Sequence, residues 1–455
     1  MSTVELSPEA LGRFPLLTAA GQARLRRLQE HPHAPRYNHQ GVDRLSAAGL
    51  ARVAAFETQL QREPRGWRPG ETPPWLAELA DFCIREVPAY RAYGPRPPSF
   101  FDIPLCERSD LSRAPWEFVP DSLALDGLTV FQTSGATGHP LDILTHPEVL
   151  AHYLPLLRAA LALHGVSLDD AQDGDPDYVA LAVVSDQATT YTYAAVSAYL
   201  NQAGLVKLNL RAADWRDPGD RARFLDDCRP AVITGDPVSL AALAELPLAH
   251  RPRALVSTSM ALLPGLRQRL MARFACPVVD IYSLNESGPV AAMGPDGAGW
   301  QVLSHRLYVE ILDADGAPCP PGTRGEVVVS GGFNPCLPLL RYRTGDYARL
   351  DLSRPRRAVL RDLEGRSPVV FRAADGRPIN NIDVTAALKP LALAQFALHQ
   401  AANGALRLRV RGAYEAAAVR AALAGVFGAG LALTLEPLAA DDKVRQYSVE
   451  DGPDG

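Results

Sequence analysis

The sequence lacks long apolar runs, paired cysteines and an excess of basic charge. No apolar run reaches about 18 residues, the length that a membrane-spanning helix needs, and the N-terminal residues include no apolar stretch of signal-peptide length. The six cysteines are scattered without a Cys-x-x-Cys pair, so we predict neither a zinc site nor a disulfide framework. The net charge of −5 argues against nucleic-acid binding. We therefore expect a cytoplasmic protein that binds neither membrane nor nucleic acid.

Lysine is also scarce. It occurs only at Lys207, Lys389 and Lys443 among 46 basic residues. Because arginine serves as the general surface cation of this chain, a remaining lysine is a candidate for a role that needs a compact ammonium group. We interpret Lys207 and Lys389 as retained by chance, and Lys443 is taken up below.

The length of the chain and the alternation of its strand-like and helix-like segments are typical of an α/β protein with more than one domain. The chain has 455 residues, of which 47% are apolar. Short β-rich runs (VALAVVS, LVKLNL, AVIT, ALVSTS, PVVDIYS) alternate with helix-like stretches, which predicts βα units and mostly parallel sheets. From about Tyr308 onwards, alternating runs separated by DG and PG turns predict a small antiparallel subdomain.

The sequence patterns also predict a second domain and one further helix. Beyond Gly365 the chain reads as a small α+β domain, in which Asn403-Gly404 predicts a hairpin turn. We therefore divide the sequence into a large domain, 1–365, and a small one, 366–455. An amphipathic helix is predicted after the loop that ends at residue 140, because apolar residues recur there at helical spacing: Leu150, Tyr153, Leu154, Leu157 and Leu161.

The stretch FQTSGATGHP (131–140) is rich in hydroxyls and glycines. Small residues let the backbone come close to another molecule, and successive N–H groups with hydroxyls form a concavity that holds an anion. A solvated turn is the alternative interpretation of this stretch by itself. No Gly-Lys-Ser/Thr follows, so it is not a Walker A loop.

Four later stretches stand in a definite order after this loop: DIYSLNESGP (280–289), RYRTGDYARL (341–350), LEGRSPVVFRAADGRPI (363–379) and DDKVRQY (441–447). With them the chain resembles the adenylate-forming superfamily, and within it the phenylacetate–CoA ligase branch. That branch has phrases similar to VPAYRAYG (87–94) and IPLCERSDL (103–111) here. The resemblance implies a large α/β domain that binds ATP and the acid, followed by a small mobile C-terminal domain.

The resemblance also implies roles in binding MgATP. Tyr282 corresponds to the aromatic residue that stacks on adenine, and Asp346 to the carboxylate that accepts the ribose hydroxyls. Asn285 replaces the usual threonine at the α-phosphate, Glu286 corresponds to the Mg²⁺ ligand, and Arg366 to an arginine near ribose and phosphate. The loop that clasps the β- and γ-phosphates comprises Thr133, Ser134, Gly135, Ala136, Thr137 and Gly138, with Ala136 in place of a hydroxyl residue.

Lys443 falls where the family places its adenylation lysine. A point charge there would stabilise the charge that develops between the carboxylate oxygen and the α-phosphorus. Pro368 occupies the position of the usual hinge residue, and its φ is nearly fixed. Rotation of the small domain would then rely on the ψ angle or on Ser367.

The function that the resemblance implies is an ATP-dependent acid–thiol ligase. It would activate a small, aryl carboxylic acid as acyl-AMP and transfer it to coenzyme A, or alternatively to the phosphopantetheine of a carrier protein. A degenerate nucleotide-binding protein is the weaker alternative, and the oligomeric state stays open, a homodimer included. Residues expected to face the acid are Asp186, Tyr191, Ser259 and Gly288.

Overall fold

The structure, a computed structural model, describes residues 12–68, 70–133, 141–168, 177–187, 190–354, 356–364, 370–388, 390–391, 393–430, 432–439 and 446–450. Its strands are β1 (Thr129–Thr133), β2 (Leu141–Thr145), β3 (Val179–Ser185), β4 (Tyr193–Ser197), β5 (Ala203–Asn209), β6 (Val232–Gly235), β7 (Ala254–Ser257), β8 (Val278–Leu284), β9 (Gly288–Met293), β10 (Trp300–Val302), β11 (Leu307–Leu312), β12 (Arg324–Gly331), β13 (Leu339–Arg354), β14 (Arg357–Glu364), β15 (Val370–Arg372), β16 (Pro378–Asn380), β17 (Gln395–Gln400), β18 (Leu406–Arg411), β19 (Leu433–Pro437) and β20 (Tyr447–Val449).

The helices lie before, between and after these strands. They are α1 (Ala19–Glu30), α2 (Ala47–Arg62), α3 (Pro74–Glu86), α4 (Pro88–Arg91), α5 (Arg108–Arg113), α6 (Tyr153–Ala162), α7 (Asp220–Cys228), α8 (Pro237–Ala244), α9 (Pro264–Phe274), α10 (Asn381–Leu388) and α11 (Ala416–Phe427). Short 3₁₀ turns occur at Phe100–Asp102, Pro115–Phe118, Pro147–His152 and Ala212–Asp214. None of the helices within the described ranges is long and apolar enough to cross a membrane.

A twelve-stranded mixed sheet forms the centre of the molecule. Its spatial order is β11-β12-β13-β14-β10-β9-β8-β7-β6-β3-β5-β4. β5, β3, β6, β7 and β8 run parallel, with α7, α8 and α9 as the crossovers that follow β5, β6 and β7. The predicted alternation of strands and helices is therefore confirmed. Such a sheet brings the carboxyl ends of its parallel strands to one edge, where α/β proteins bind ligands.

The antiparallel strands continue the same sheet. β8 turns back into β9 through a hairpin in which Leu284 faces Gly288. β10 joins β9 to β14, and β11 to β14 follow in antiparallel order. The antiparallel portion predicted from about Tyr308 is confirmed, and it is hydrogen-bonded edge to edge to the parallel portion.

A separate four-stranded sheet has the order β19-β18-β17-β20. It packs on α10 and α11 around its own apolar core, which includes Phe371, Leu398, Leu408 and Leu423. The Asn403-Gly404 turn joins β17 to β18 as predicted, with Gly404 at a φ of 84°. The fold class predicted from the sequence is confirmed: a large α/β part with parallel and antiparallel strands, followed by a small α+β part.

The small sheet lies against the edge of the large one where β7 ends. A Cβ atom at Gly265, in the first turn of α9, would come 2.8 Å from the carbonyl carbon of Leu391. The Gln395 side-chain amide lies 3.3 Å from the Met260 sulfur. The carboxyl ends of β7 and β8 therefore open toward the small sheet.

The helix predicted after residue 140 is confirmed as α6, but two of the apolar residues that predicted it do not face the core. Leu150 lies in the 3₁₀ turn and is 45% exposed, while Tyr153, the first residue of α6, is 37% exposed. The core-facing residues of α6 include Leu156 and Leu161. A 3₁₀ turn has 3.0 residues per turn instead of 3.6, so the apolar stripe does not continue in phase from one segment into the other.

Candidate active site

A cavity of about 650 Å³ lies between the large sheet and the small one. One wall is made by β8 and by the segment that follows β7. The opposite side is closed by β17 and by Gln446, the residue before β20. Of the residues predicted to bind ligand, Ser259, Tyr282 and Asp346 line this cavity. Its volume lies in the range typical of small-molecule and cofactor sites.

Tyr282 and Asp346 contact each other directly in this cavity. The Tyr282 hydroxyl donates a hydrogen bond of 2.5 Å to Asp346 Oδ2. Burial raises the pKa of Tyr282 well above its ordinary value, and the neighbouring Asp346 charge raises it further. Tyr282 therefore stays protonated and acts as a donor to the carboxylate.

The position of Asp346 is fixed by the Thr-Gly pair that precedes it. Thr344 Oγ1 donates to Val327 O at 2.7 Å and accepts the Asp346 N–H at 3.0 Å. Gly345 has a φ of 73°, a conformation that favours glycine, and its N–H donates to Glu326 Oε1 at 3.2 Å. This irregularity within β13 turns the Asp346 side chain into the cavity beside Tyr282.

Asp280 is a second buried carboxyl group on the cavity wall. It lies two residues before Tyr282 on β8, so both side chains point to the same face of the sheet. Burial raises the pKa of Asp280 to about 7, and hydrogen bonding from Trp300 and the charge of Arg267 oppose that rise. Asp280 is not among the residues predicted from the sequence, although strand alternation from Tyr282 could have located it.

Glu286 lies just beyond β8 and is 6% exposed. Its Oε1 accepts a hydrogen bond of 3.0 Å from the Tyr342 hydroxyl and another of 3.1 Å from Arg108 Nη1. The neighbouring Asn285 is exposed. Neither Arg108 nor Tyr342 was predicted as a site residue, though both belong to stretches that carried the family resemblance.

Ser259 and Gly288, predicted to face the acid, have different surroundings. Ser259 is exposed and lines the cavity with Tyr282, at a φ of 73°. Gly288 is buried at a φ of 76°, and a Cβ atom there would come 2.0 Å from Phe333. The Phe333 ring lies 6.2 Å from His152 in a stacked arrangement and 5.0 Å from Tyr153 edge to face. Gly288 therefore borders an aromatic group.

The structure does not bring Asp186 and Tyr191 to the cavity walls. Asp186 follows β3, and its carboxylate lies 3.7 Å from Arg211 Nε in an ion pair. Tyr191 is 65% exposed, with its ring 4.7 Å from that of His39. β3 is separated from β8 by β6 and β7, so two intervening strands keep Asp186 away from Tyr282.

The remaining predicted residues lie largely outside the described part of the chain. Thr133 is the last residue of β1, and residues 134–138, Arg366 and Lys443 are outside the described residues. Described residues close in sequence to Arg366 and Lys443 lie at the cavity. Glu364 and Gln446 both line it. The roles predicted for Arg366 and Lys443 therefore stay predictions.

Known proteins are similar to this chain in sequence. The model of the AMP-binding enzyme family matches residues 115–334. Phenylacetate-coenzyme A ligase from Pseudomonas putida is 31% identical over 149 residues, which are 31% of this chain and 34% of that protein. The protein of the same name from Escherichia coli (strain K12) is 33% identical over 90 residues, 19% of this chain and 21% of that protein. The matched segments thus span about a third or less of these relatives.

Solved structures are similar to it in fold. A structure of 2-hydroxyisobutyryl-CoA ligase in the postadenylation state, in complex with R3-HIB-AMP, has a TM-score of 0.55 at 20% identity and covers 90% of this chain and 91% of that chain. An open conformation of that ligase, in complex with 2-HIB-AMP and CoA, has a TM-score of 0.51 at 20% identity, covering 83% and 90%. The fold of this chain is therefore similar to the fold of that ligase.

The chain is thus similar in sequence to the AMP-binding enzyme family over residues 115–334, and to phenylacetate-coenzyme A ligases over shorter segments.

Proposed function

We propose that the protein is an AMP-forming acid–thiol ligase that activates an aryl carboxylic acid and transfers it to coenzyme A. The observation that carries this proposal is the Tyr282–Asp346 pair in a cavity of nucleotide size at the carboxyl end of β8. Asp346 would accept the two ribose hydroxyls, and the Tyr282 ring would stack on the adenine.

The phosphates would lie beyond the ribose. The loop that starts at Thr133 and runs through residues 134–138 would hold the β- and γ-phosphates, with Asn285 at the α-phosphate. Glu286 would hold Mg²⁺, whose charge would offset that of the phosphates. A single carboxylate fits this metal, because Mg²⁺ in nucleotide sites usually binds one or two carboxylates and completes its shell with phosphate oxygens and water. Within the described ranges, no group of three or more His, Cys, Asp or Glu is placed to hold a metal.

The chemistry has two steps. The substrate carboxylate attacks the α-phosphorus of ATP, giving acyl-AMP and pyrophosphate. A thiol then attacks the activated carbonyl carbon and loses its proton, giving the thioester and AMP. In the first step, Lys443 would stabilise the charge on the transferring phosphoryl group, with Arg366 near ribose and phosphate. We propose that the small domain begins at residue 366, because residues from 371 onward build a core to which the large part contributes Leu263.

The acid would lie near Gly288. The absence of a side chain there lets Phe333 pack against the backbone two residues after Glu286. The ring cluster of His152, Tyr153 and Phe333 offers flat apolar surface, which favours an aryl or arylacetic acid. Ser259 would belong to the nucleotide cavity instead. Asp186 and Tyr191 are left out of the proposed acid pocket because of their positions.

The acceptor thiol is proposed as coenzyme A. This is supported by the fold shared with a ligase that was solved with 2-HIB-AMP and CoA. An assay with purified protein would offer coenzyme A and a phosphopantetheinylated carrier protein side by side. Thioester formation on coenzyme A supports the proposal, and transfer to the carrier alone contradicts it.

The first half-reaction is tested by acid-dependent exchange of labelled pyrophosphate into ATP. A panel would contain benzoate, phenylacetate, 2-hydroxyisobutyrate, and a long-chain fatty acid. We expect exchange with the aryl acids. Exchange with the fatty acid in preference would overturn the aryl assignment and keep the ligase assignment. Binding of ATP without exchange for any acid would favour a degenerate nucleotide-binding protein.

A further inference from the structure

Arg108 belongs to the N-terminal part of the chain, and backbone hydrogen bonds to β13 hold the residues just before it in place. The Cys106 N–H donates to Arg341 O at 3.0 Å, and the Arg343 N–H donates to Cys106 O at 2.9 Å. The two bonds attach residue 106 to β13 on both sides of Tyr342. Arg108 follows two residues later as the first residue of α5, whose N-terminus is closed by a capping box between Glu107 and Asp110.

The Arg108 guanidinium and the Tyr342 hydroxyl both donate to one oxygen of Glu286, Oε1. The Glu286 side chain is 7% exposed and that of Arg108 is 35% exposed. Burial raises the pKa of Tyr342 strongly, and the Glu286 charge raises it further, so the phenol remains a donor. Oε2 of Glu286 accepts no hydrogen bond from the described residues. One carboxylate oxygen is thus held in place, and the other can accept a cation.

α5 contacts elements that are close in sequence to residues proposed to bind the phosphates of ATP. α5 packs against β2, the strand that begins directly after residues 134–140, and against β13. The loop before β2 is the one proposed to hold the β- and γ-phosphates. Glu286, the proposed Mg²⁺ ligand, contacts the first residue of α5. Arg108 thus contacts the proposed Mg²⁺ ligand directly, and its helix packs on the strand that follows the proposed phosphate loop.

We propose that Arg108 binds the polyphosphate of ATP, and that Glu286 and Tyr342 hold its guanidinium ready for that contact. This inference rests on the proposed nucleotide site and extends it to the N-terminal segment. A guanidinium presents several donors in a rigid fork, which suits phosphate oxygens. With Arg108 on Oε1 and a hard cation on Oε2, two positive groups would face a polyanion that offsets their mutual repulsion.

A structural ion pair is the competing interpretation. A buried carboxylate is costly unless it is paired and hydrogen-bonded, and Arg108 satisfies that need whether or not ATP binds. The two interpretations differ in which ligands respond. A polyphosphate contact affects ATP and leaves AMP alone, whereas a purely structural pair affects both ligands equally or neither.

The test compares the dissociation constants of ATP and AMP, each with Mg²⁺, by isothermal titration calorimetry. For Arg108→Gln we expect a loss of ATP affinity of roughly 10- to 100-fold, the effect of one charged hydrogen-bond donor, and less than about twofold change for AMP. Arg108→Lys keeps the charge without the fork, so its ATP affinity should fall between those of the wild type and Arg108→Gln. The matched control is Arg113→Gln on the same helix, where the side chain is 74% exposed; both affinities should stay unchanged.

The remaining outcomes distinguish a structural role of Arg108 from a failure of the proposed function. Equal weakening of AMP and ATP in Arg108→Gln, or no weakening of either, would make Arg108 a structural residue and leave the proposed function intact. A wild-type protein that binds neither nucleotide would contradict the proposed function itself. If Arg108→Gln melts too early for titration, Arg108→Lys decides by the same comparison, since it retains the ion pair.

Discussion

Two buried carboxylates of the site have reciprocal partners. Asp346 on β13 accepts the hydroxyl of Tyr282 on β8, and Glu286 just beyond β8 accepts the hydroxyl of Tyr342 on β13. Glu286 also contacts a guanidinium, that of Arg108 from the N-terminal part of the chain. In the proposed site, the Tyr282 pair would bind the neutral hydroxyl groups of the ribose, and the Glu286 cluster would lie near the charged phosphates. The two carboxylate–tyrosine pairs would then contact two ends of one ligand.

In the proposed function, both carboxylate–tyrosine pairs would bind the nucleotide and Lys443, outside them, would act in the first chemical step. Lys443→Ala should therefore give the largest loss, slowing acyl-adenylate formation by about 10²-fold or more, as expected for one electrostatic donor to a transition state. Rapid-quench measurement of acyl-AMP checks the rate.

Thioester formation from synthetic acyl-adenylate is the control for Lys443→Ala, and it should change little, since the phosphoryl transfer is already complete. Lys443→Arg should rescue poorly, because the planar fork is bulkier than an ammonium group. Equal damage to both half-reactions would make Lys443 a structural residue.

Removing the carboxylate of the Tyr282 pair should have the next largest effect. Asp346→Ala deletes acceptors for the ribose hydroxyls and leaves the Tyr282 hydroxyl without this partner. Hydrogen bonds to charged groups contribute about 1.5–3 kcal/mol, so the affinity for ATP and for AMP should fall roughly 10- to 100-fold. Calorimetric titration checks both ligands.

The nucleotide 2′,3′-dideoxy-ATP gives the matched control for Asp346→Ala. It should bind the wild type weakly and lose little further affinity in the variant, because the hydroxyl groups are already missing. An equal additional loss with the dideoxy nucleotide would show that Asp346 acts on something other than the ribose.

Periodicity and turn chemistry were enough to predict the fold. Alternating strands and helices predicted the parallel half of the large sheet, and Asn403-Gly404 predicted the turn between β17 and β18. The same reasoning failed for Leu150 and Tyr153, where a 3₁₀ turn shifts the helical phase. Local pattern reading cannot detect such a shift, because both residues are apolar and correctly spaced for a continuous helix.

The site was predictable only in part, because its contacts join distant residues. Tyr282 and Asp346 are 64 positions apart, and Arg108 and Glu286 are 178 apart. The family resemblance supplied Tyr282, Asp346 and Glu286 one by one, without their pairing. Arg108 stands in a charged stretch that begins a short helix, where an arginine usually faces solvent. Its contact with Glu286 depends on the attachment of Cys106 to β13, which no local signal indicates.

The reciprocal arrangement can be tested by removing each phenol hydroxyl and keeping its ring. A neutral hydrogen bond contributes about 0.5–1.5 kcal/mol, so effects of roughly 2- to 10-fold are expected. Tyr282→Phe should weaken AMP and ATP alike, because it disturbs Asp346. Tyr342→Phe should weaken MgATP and spare AMP, because it loosens Glu286. The same pattern in both variants would remove the functional distinction between the two pairs.

The smallest predicted effect concerns Asp280, the third carboxyl group near β8. Its pKa of about 7 in the folded protein is above the value of about 3.9 for an unperturbed Asp. Between these two values the folded state binds more protons than the unfolded state, so stability falls as the pH rises. The free energy of unfolding falls by at most about 1.4 kcal/mol per pH unit. This slope applies over the pH range in which Asp280 is protonated in the folded state and ionised in the unfolded state.

Asp280→Asn keeps the shape of this side chain and removes its titration. Melting temperatures measured from pH 5 to pH 8 should therefore decline by a few degrees more in the wild type than in the variant, with the excess decline ending as the pH passes about 7. Asp296→Asn serves as the control, since it changes a carboxylate in the exposed turn between β9 and β10, and its profile should follow that of the wild type. Parallel profiles for the wild type and Asp280→Asn would mean that the cavity is wet enough to leave Asp280 ionised. An ionised Asp280 would then place a second carboxylate charge on the cavity wall near Tyr282, and the contrast with the Glu286 cluster would be smaller.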